Sequence, residues 1–293
     1  MRAWITKLLA SISTIPKQVQ ASLPNRCLLC HQSIDNTGQA PRQLRFSGLC
    51  KVCLEACLYH EPHCLGCGKT LVEPSHLTTA SLAPSSLATS PLATSSLAPG
   101  QLTAGAQSNI YCGQCLKTVP LKVIAPASYH HGLGPVVAAI KYQQQLAPLK
   151  VLVGALVSRV NQLVEQKLII LPQVLLPVPL HPQRLKQRGF NQAWLIAKEI
   201  SVQLNIPLDA NVLKRVADTQ PQAGMTGKQR RKNCHKAFEL VNHIPYQRVA
   251  LVDDVLTTGT TANEIAKLLN KQGVYVDVWC LARAEAPSLR GQD

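Results

Sequence analysis

From Lys122 onward the chain alternates between two hydrophobic periods. Short apolar runs bounded by turn residues read as buried strands: KVIAPASY, VLLPVPL over Val174–Leu180, RVALVDD, and VYVDVWCLAR, which closes the sheet. Between them apolar residues recur at helical spacing. Gly134-Pro135 opens a helix through VVAAIKY, because proline is tolerated in a first turn. LKVLVGALVSRVNQLVEQ is a longer helix, and FNQAWLIAKEISVQL is another that offers Trp194, Leu195 and Ile200 to a core. The helix ANEIAKLLNKQ follows a TTGTT loop. Apolar strands alternating with helices predict an α/β fold, a parallel sheet with helices on both faces.

The first part of the chain has a different texture, which divides it into a leader (1–24), a cysteine-rich module (25–118) and the α/β domain (119–293). The leader, MRAWITKLLASISTIPKQVQ onward, has an apolar stretch interrupted by Lys7 and reads as a short amphipathic helix or an unstructured segment. No run reaches the roughly 18 apolar residues of a membrane span. Inside the module, residues 73–108 carry the near-repeats ASLAP, SSLAT, SPLAT and SSLAP, with no charged residue between Glu73 and Lys117. Leucine recurs there every five residues, which fits neither helix nor strand, so this insert is expected to be a disordered loop. Closure entropy grows only logarithmically with loop length, so the insert need not keep its ends apart.

Eight of the eleven cysteines fall in four C-x-x-C pairs: Cys27/Cys30, Cys50/Cys53, Cys64/Cys67 and Cys112/Cys115. Their crowding ahead of a long cysteine-poor segment predicts metal ligation in a reducing, cytoplasmic setting rather than a secreted disulfide scaffold. Four thiolates make a closed structural zinc site, and C-x-x-C supplies two of them from one turn. Cys27, Cys30, Cys50 and Cys53 form one candidate set, and Cys64, Cys67, Cys112 and Cys115 a second. An interleaved pairing and a single zinc both stay open. Cys57, Cys234 and Cys280 read as ordinary thiols.

Composition sharpens the picture in two ways. Hydrophobic residues make up 46 % of the chain but aromatics only 4 %, so the core is built from Leu, Val, Ile and Ala. The formal charge of +15 attracts phosphates, nucleic acid or an acidic surface without choosing among them.

The chemistry concentrates in the run from Val249 to Thr261, where a strand ends in Asp253 and Asp254 and continues into Thr257, Thr258, Gly259, Thr260 and Thr261. Ligands of open α/β sheets bind at the carboxyl ends of the strands. Two carboxylates there can accept hydrogen bonds from vicinal sugar hydroxyls and sit near a divalent cation. A glycine and hydroxyl loop entering a helix can hold one phosphate. Thr261 and Glu264 have the spacing of a capping box, which supports a helix start at that point. The lysine and second glycine of a P-loop are missing. After the strand at Val174–Leu180, a loop carries His181, Arg184, Lys186 and Arg188, and Arg184 and Arg188 can neutralise a pyrophosphate group. A second basic cluster holds Lys228, Arg230, Arg231, Lys232 and Lys236. Each cluster has the alternative of being a solvated basic face. Asn191 and Gln192 open a helix and can simply cap it.

The apolar strand, two acids and T-T-G-x-T resemble the signature of type I phosphoribosyltransferases. With the paired cysteines, Ile140-Lys141-Tyr142, PVPLHPQRLKQRGFNQ (Pro177–Gln192), Thr219–Gln222, Arg230–Phe238 and Val252–Gly259, the chain resembles the ComF family. The resemblance implies that Asp253 and Asp254 contact ribose hydroxyls and that Thr257 to Thr261 hold the 5-phosphate of phosphoribosyl pyrophosphate, with Mg²⁺. It also implies a mobile loop at the second basic cluster, and a part in natural transformation or the use of DNA, through single-stranded DNA and the uptake machinery. No segment selects an acceptor. A single-strand-binding or regulatory protein on a transferase fold, without turnover, is the alternative.

Overall fold

The computed structural model describes residues 25–34, 47–71, 110–118, 120–217, 237–241 and 244–284. The leader, the 73–108 insert, and the second basic cluster with Cys234 lie outside these residues. The architecture rests on two long central strands, β6 (Arg248–Leu256) and β7 (Tyr275–Arg283). Short β1 (Lys122–Ile124) and β2 (Ala127–Ser128), interrupted at Pro126, both pair with β7, and β3 (Val174–Pro177) pairs with β6. All of these pairings are parallel, in the order β1-β7-β6-β3.

Side chains of successive strand residues point to opposite faces, and both faces are apolar. Ala250, Val252, Trp279 and Leu281 face one core, which also takes the buried faces of three helices: α3 (Gly134–Gln143), α4 (Leu149–Glu165) and α6 (Gln192–Leu204). In α4 the buried residues are Leu149, Leu152, Val153, Leu156, Val157, Val160 and Leu163, a full stripe at helical spacing. Val249, Leu251, Val276, Val278 and Cys280 face the other core with Ile265, Ala266 and Leu269 of α7 (Thr260–Asn270). Cys27, Cys57, Cys64, Leu65, Ile110, Tyr111 and Cys115 belong to the first core, so the cysteine-bearing segments pack directly against the α/β scaffold. These segments carry α1 (Lys51–Cys57) and α2 (Gly113–Thr118). No helix among the described residues is long and apolar enough to cross a membrane.

Five features differ from the sequence expectations. The last strand, β7, does not close the sheet at an edge but lies between β1 and β6. The Val174–Leu180 strand stops at Pro177, after which Val178 N–H adds one further bond to Val252 O at 2.9 Å. The basic loop that follows winds into a short helix, α5 (Pro182–Arg188), with His181 as its cap and Gly189 ending it at φ +81°. A two-stranded antiparallel ribbon, β4 (Leu213–Arg215) with β5 (Phe238–Leu240), brackets the second basic cluster in sequence. Trp194 is only half-buried, with the Lys198 ammonium 5.2 Å from its ring centroid, while Ile200 is in the core.

Candidate functional site

The chain leaves β3 toward the core face bearing α6 and leaves β6 toward the opposite face bearing α7. Where neighbouring parallel strands send their connections to opposite faces, a crevice opens beyond their carboxyl ends. Asp253 lies just past the last residue of β6 paired with β3, at Pro177–Val252, and so at that crevice.

Asp253 and Asp254 remain within β6 and not in the loop after it. Asp254 N–H donates to Oδ1 of Asp253 and Val255 N–H to Oδ1 of Asp254, each at 2.8 Å. Asp254 is 6 % exposed and Asp253 half-buried. Burial, then the neighbouring charge of Asp254, pushes the Asp253 carboxyl up to about 7, against the pull of Lys141. The Lys141 ammonium reaches Asp254 Oδ2 at 2.9 Å and Oδ1 at 3.2 Å. Burial alone would lower the Lys141 pKa, but the two carboxylates raise it.

A second chain of contacts ties the basic helix to this pair. Arg188 Nη1 donates to Gln192 Oε1 at 3.1 Å, and Gln192 Nε2 donates to the Lys141 carbonyl at 3.3 Å. Asn191 caps α6 through its side chain, which accepts from Ala193 N–H at 3.1 Å and donates to Val178 O at 3.0 Å. Arg184 sits one turn before Arg188 on α5, and both are half-buried. Sequence reasoning assigned no role to Lys141 and took the buried Gln192 only as a residue that opens and can cap a helix. Both stand in runs it quoted, but their contact partners are remote in the chain.

After the acids, Thr257 and Thr258 are exposed, and Gly259 turns the chain at φ +69°. A side chain at Gly259 would be strained and would meet Asn263 Nδ2 at 3.2 Å. Helix α7 begins at Thr260 with Gly259 as its cap, so Thr261 lies inside the helix and the start is two residues earlier than a Thr261 cap requires. The Thr258 and Thr260 hydroxyls are 2.8 Å apart. Exposed hydroxyls, a glycine and a helix start after two acids give a surface able to receive one phosphate group beside a polyhydroxyl ligand.

The cysteines close as two sets: Cys27, Cys30, Cys50 and Cys53, and Cys64, Cys67, Cys112 and Cys115, with ligand atoms within 4.8 Å of one another in each. A tetrahedral zinc with bonds of about 2.3 Å has sulfur–sulfur edges of about 3.8 Å. Cys30 and Cys50 sulfurs are 3.8 Å apart and those of Cys67 and Cys112 are 3.6 Å apart. Both sets therefore fit the ion. In each set one thiol is held low: burial opposes ionisation, but backbone N–H donors outweigh it, lowering Cys27 to about 6 and Cys112 to about 7. Cys53 is pushed up, first by its hydrogen bond with Cys50, and Cys115 is pushed up, first by burial. Cys57 and Cys280 are buried outside both sets.

No family model matches the chain. Competence protein F of Haemophilus influenzae is 42 % identical over 180 residues, which is 59 % of this chain and 79 % of that protein. DNA utilization protein YhgH of Escherichia coli O6:H1 is 27 % identical over 265 residues, covering 89 % of this chain and 98 % of that protein. Among solved structures, the purine phosphoribosyltransferase of Pyrococcus horikoshii is 24 % identical, covers 46 % of this chain and 73 % of its own, and overlays with a TM-score of 0.27. An overlay at that score does not by itself establish a shared fold. With 42 % identity across four-fifths of a competence protein F, the chain belongs to the ComF family.

Proposed function

We propose that the chain is a phosphoribosyltransferase-type protein that binds phosphoribosyl pyrophosphate, or a related ribose 5-phosphate, in the crevice beyond β3 and β6. The observation that carries this reading is the acid pair at the end of β6, met by a fixed cation and followed by the hydroxyl and glycine loop. Asp253 and Asp254 would accept the ribose hydroxyls, and Thr257, Thr258, Gly259, Thr260 and Thr261 would receive the 5-phosphate. Lys141, Arg184 and Arg188 supply positive charge for the pyrophosphate. When pyrophosphate leaves, positive charge develops on the ribose, and the carboxylates stabilise it. Mg²⁺, when bound, screens the pyrophosphate. Asp253 would be the residue to hold it, since both oxygens of Asp254 already meet the Lys141 ammonium. Structural zinc held by Cys27, Cys30, Cys50 and Cys53, and by Cys64, Cys67, Cys112 and Cys115, would supply folding energy. Competence and DNA utilization in the relatives' names support a role in handling incoming DNA, and the charge of +15 suits that role.

Calorimetric titration with phosphoribosyl pyrophosphate, with and without Mg²⁺, tests the reading. Binding by the wild type that disappears in Asp253→Asn/Asp254→Asn is expected. Equal binding by both proteins would remove the site from the acid pair.

A further inference from the structure

Aromatic side chains are scarce in this protein, and nearly all those described are covered. Trp279 and Tyr111 are buried, Phe238 lies in the second core, and Tyr59 packs on His63 with ring centroids 3.9 Å apart. Tyr142 is the exception. It is 66 % exposed, the one aromatic among the described residues left mostly in solvent. It stands in the last turn of α3, directly after the lysine that holds Asp254. The Arg188 guanidinium lies over its ring, 5.7 Å from the centroid. Arg188 is itself held by Gln192, and Gln192 by the Lys141 carbonyl. The ring and the guanidinium are thus fixed from two helices.

The chain segment that carries the ring is almost wholly basic, and the acids near it, Asp253 and Asp254, are met by Lys141. Between His130 and Leu195 the sequence holds seven basic residues against a single acid, Glu165, at the far end of α4. An exposed ring backed by a guanidinium, in a basic stretch, suits a flat, electron-rich group that travels with phosphates. We infer that Tyr142 and Arg188 form a stacking platform for a nucleobase at the mouth of the ribose-phosphate crevice. The inference rests on the proposed function only for that placement. The base can belong to a single strand or to a free nucleotide, and stacking serves either because every base has a π face.

The test uses the full chain and two labelled strands of equal length, an oligothymidylate and its abasic counterpart, which differ only in their bases. Wild type is expected to bind the base-bearing strand about tenfold more tightly. Tyr142→Ala should erase that preference, and Tyr142→Phe should keep it. Adenosine monophosphate as competitor separates the sources: displacement of the strand assigns the platform to free nucleotides, and no displacement assigns it to strands. Equal affinity of wild type for both strands, or a preference that survives Tyr142→Ala, overturns the inference. Phosphoribosyl pyrophosphate titration of the same preparations checks the other reading separately. Its failure in the wild type would sink the ribose-phosphate site while leaving a base preference that depends on Tyr142 intact.

Discussion

The ammonium of Lys141 bridges both oxygens of Asp254, at 2.9 and 3.2 Å, and joins the end of α3 to the end of β6 across 113 residues of chain. It is a counter-charge in place before any ligand arrives. Lys141→Met leaves a buried carboxylate without its cation. Because Lys141 is 29 % exposed, the loss should be about 1–3 kcal/mol, below the ~3–5 kcal/mol of a fully buried pair. Adding Asp254→Asn should recover part of it, since no charge is then stranded. Denaturant midpoints of the two single variants and the double variant check this as a coupling energy.

The raised Asp253 carboxyl sets the sign of a pH effect. Folded, it holds its proton up to about pH 7, whereas the ordinary value is 3.8. The folded state therefore binds more protons between these values, and stability is lost as pH rises through that window. Comparing denaturation at both ends of the window, wild type should lose about 1–3 kcal/mol more than Asp253→Asn. The comparison cancels the pH response of the cysteine sets. An equal loss would show that Asp253 titrates normally.

Two tetrathiolate sets predict two metal equivalents per chain. Cys30→Ser should release one, and Cys67→Ser the other, as read by zinc released to a colorimetric chelator. Because four segments bearing the cysteines pack on the first core, removing both metals should broaden and lower the thermal transition. One equivalent in the wild type would mean that only one set binds.

Arg283, at the end of β7, is 9 % exposed and donates to Leu65 O at 3.2 Å and to Gly66 O. Both carbonyls lie in the turn between Cys64 and Cys67. Leu65 O also accepts from Val123 N–H at 2.9 Å, so Gly66 O depends more on the arginine. Arg283→Met keeps the stem and removes the donors, at about 2–3 kcal/mol. In a chelator competition the second set should surrender its metal sooner while the first is unchanged. Equal rates would mean that the clamp does not support the metal turn.

The α/β class, most strands and helices, and the position of two acids at a strand's carboxyl end were legible in the sequence. Burial on both faces of a parallel sheet writes itself as apolar runs, and one-sided burial of a helix as a 3.6-residue period. The short helix α5 and the ribbon of β4 and β5 were not legible: they are too short for a period to show. The place of β7 was not legible either, because nothing local distinguishes a central parallel strand from an edge strand covered on both faces.

By itself the sequence determined the chemical vocabulary of this protein: eight thiols in pairs, two adjacent carboxylates, a hydroxyl and glycine loop, and a basic segment beside it. Tertiary structure decided the partners. It closed the thiols as two sets rather than interleaved ones, set Lys141 on Asp254, tied Arg188 through Gln192 to Lys141, and left Tyr142 in solvent. The physical reason is that periodicity records whether a residue is covered but not by what. Long closures cost little more than short ones, so the identity of each contact is set only when the whole sheet and its helices pack.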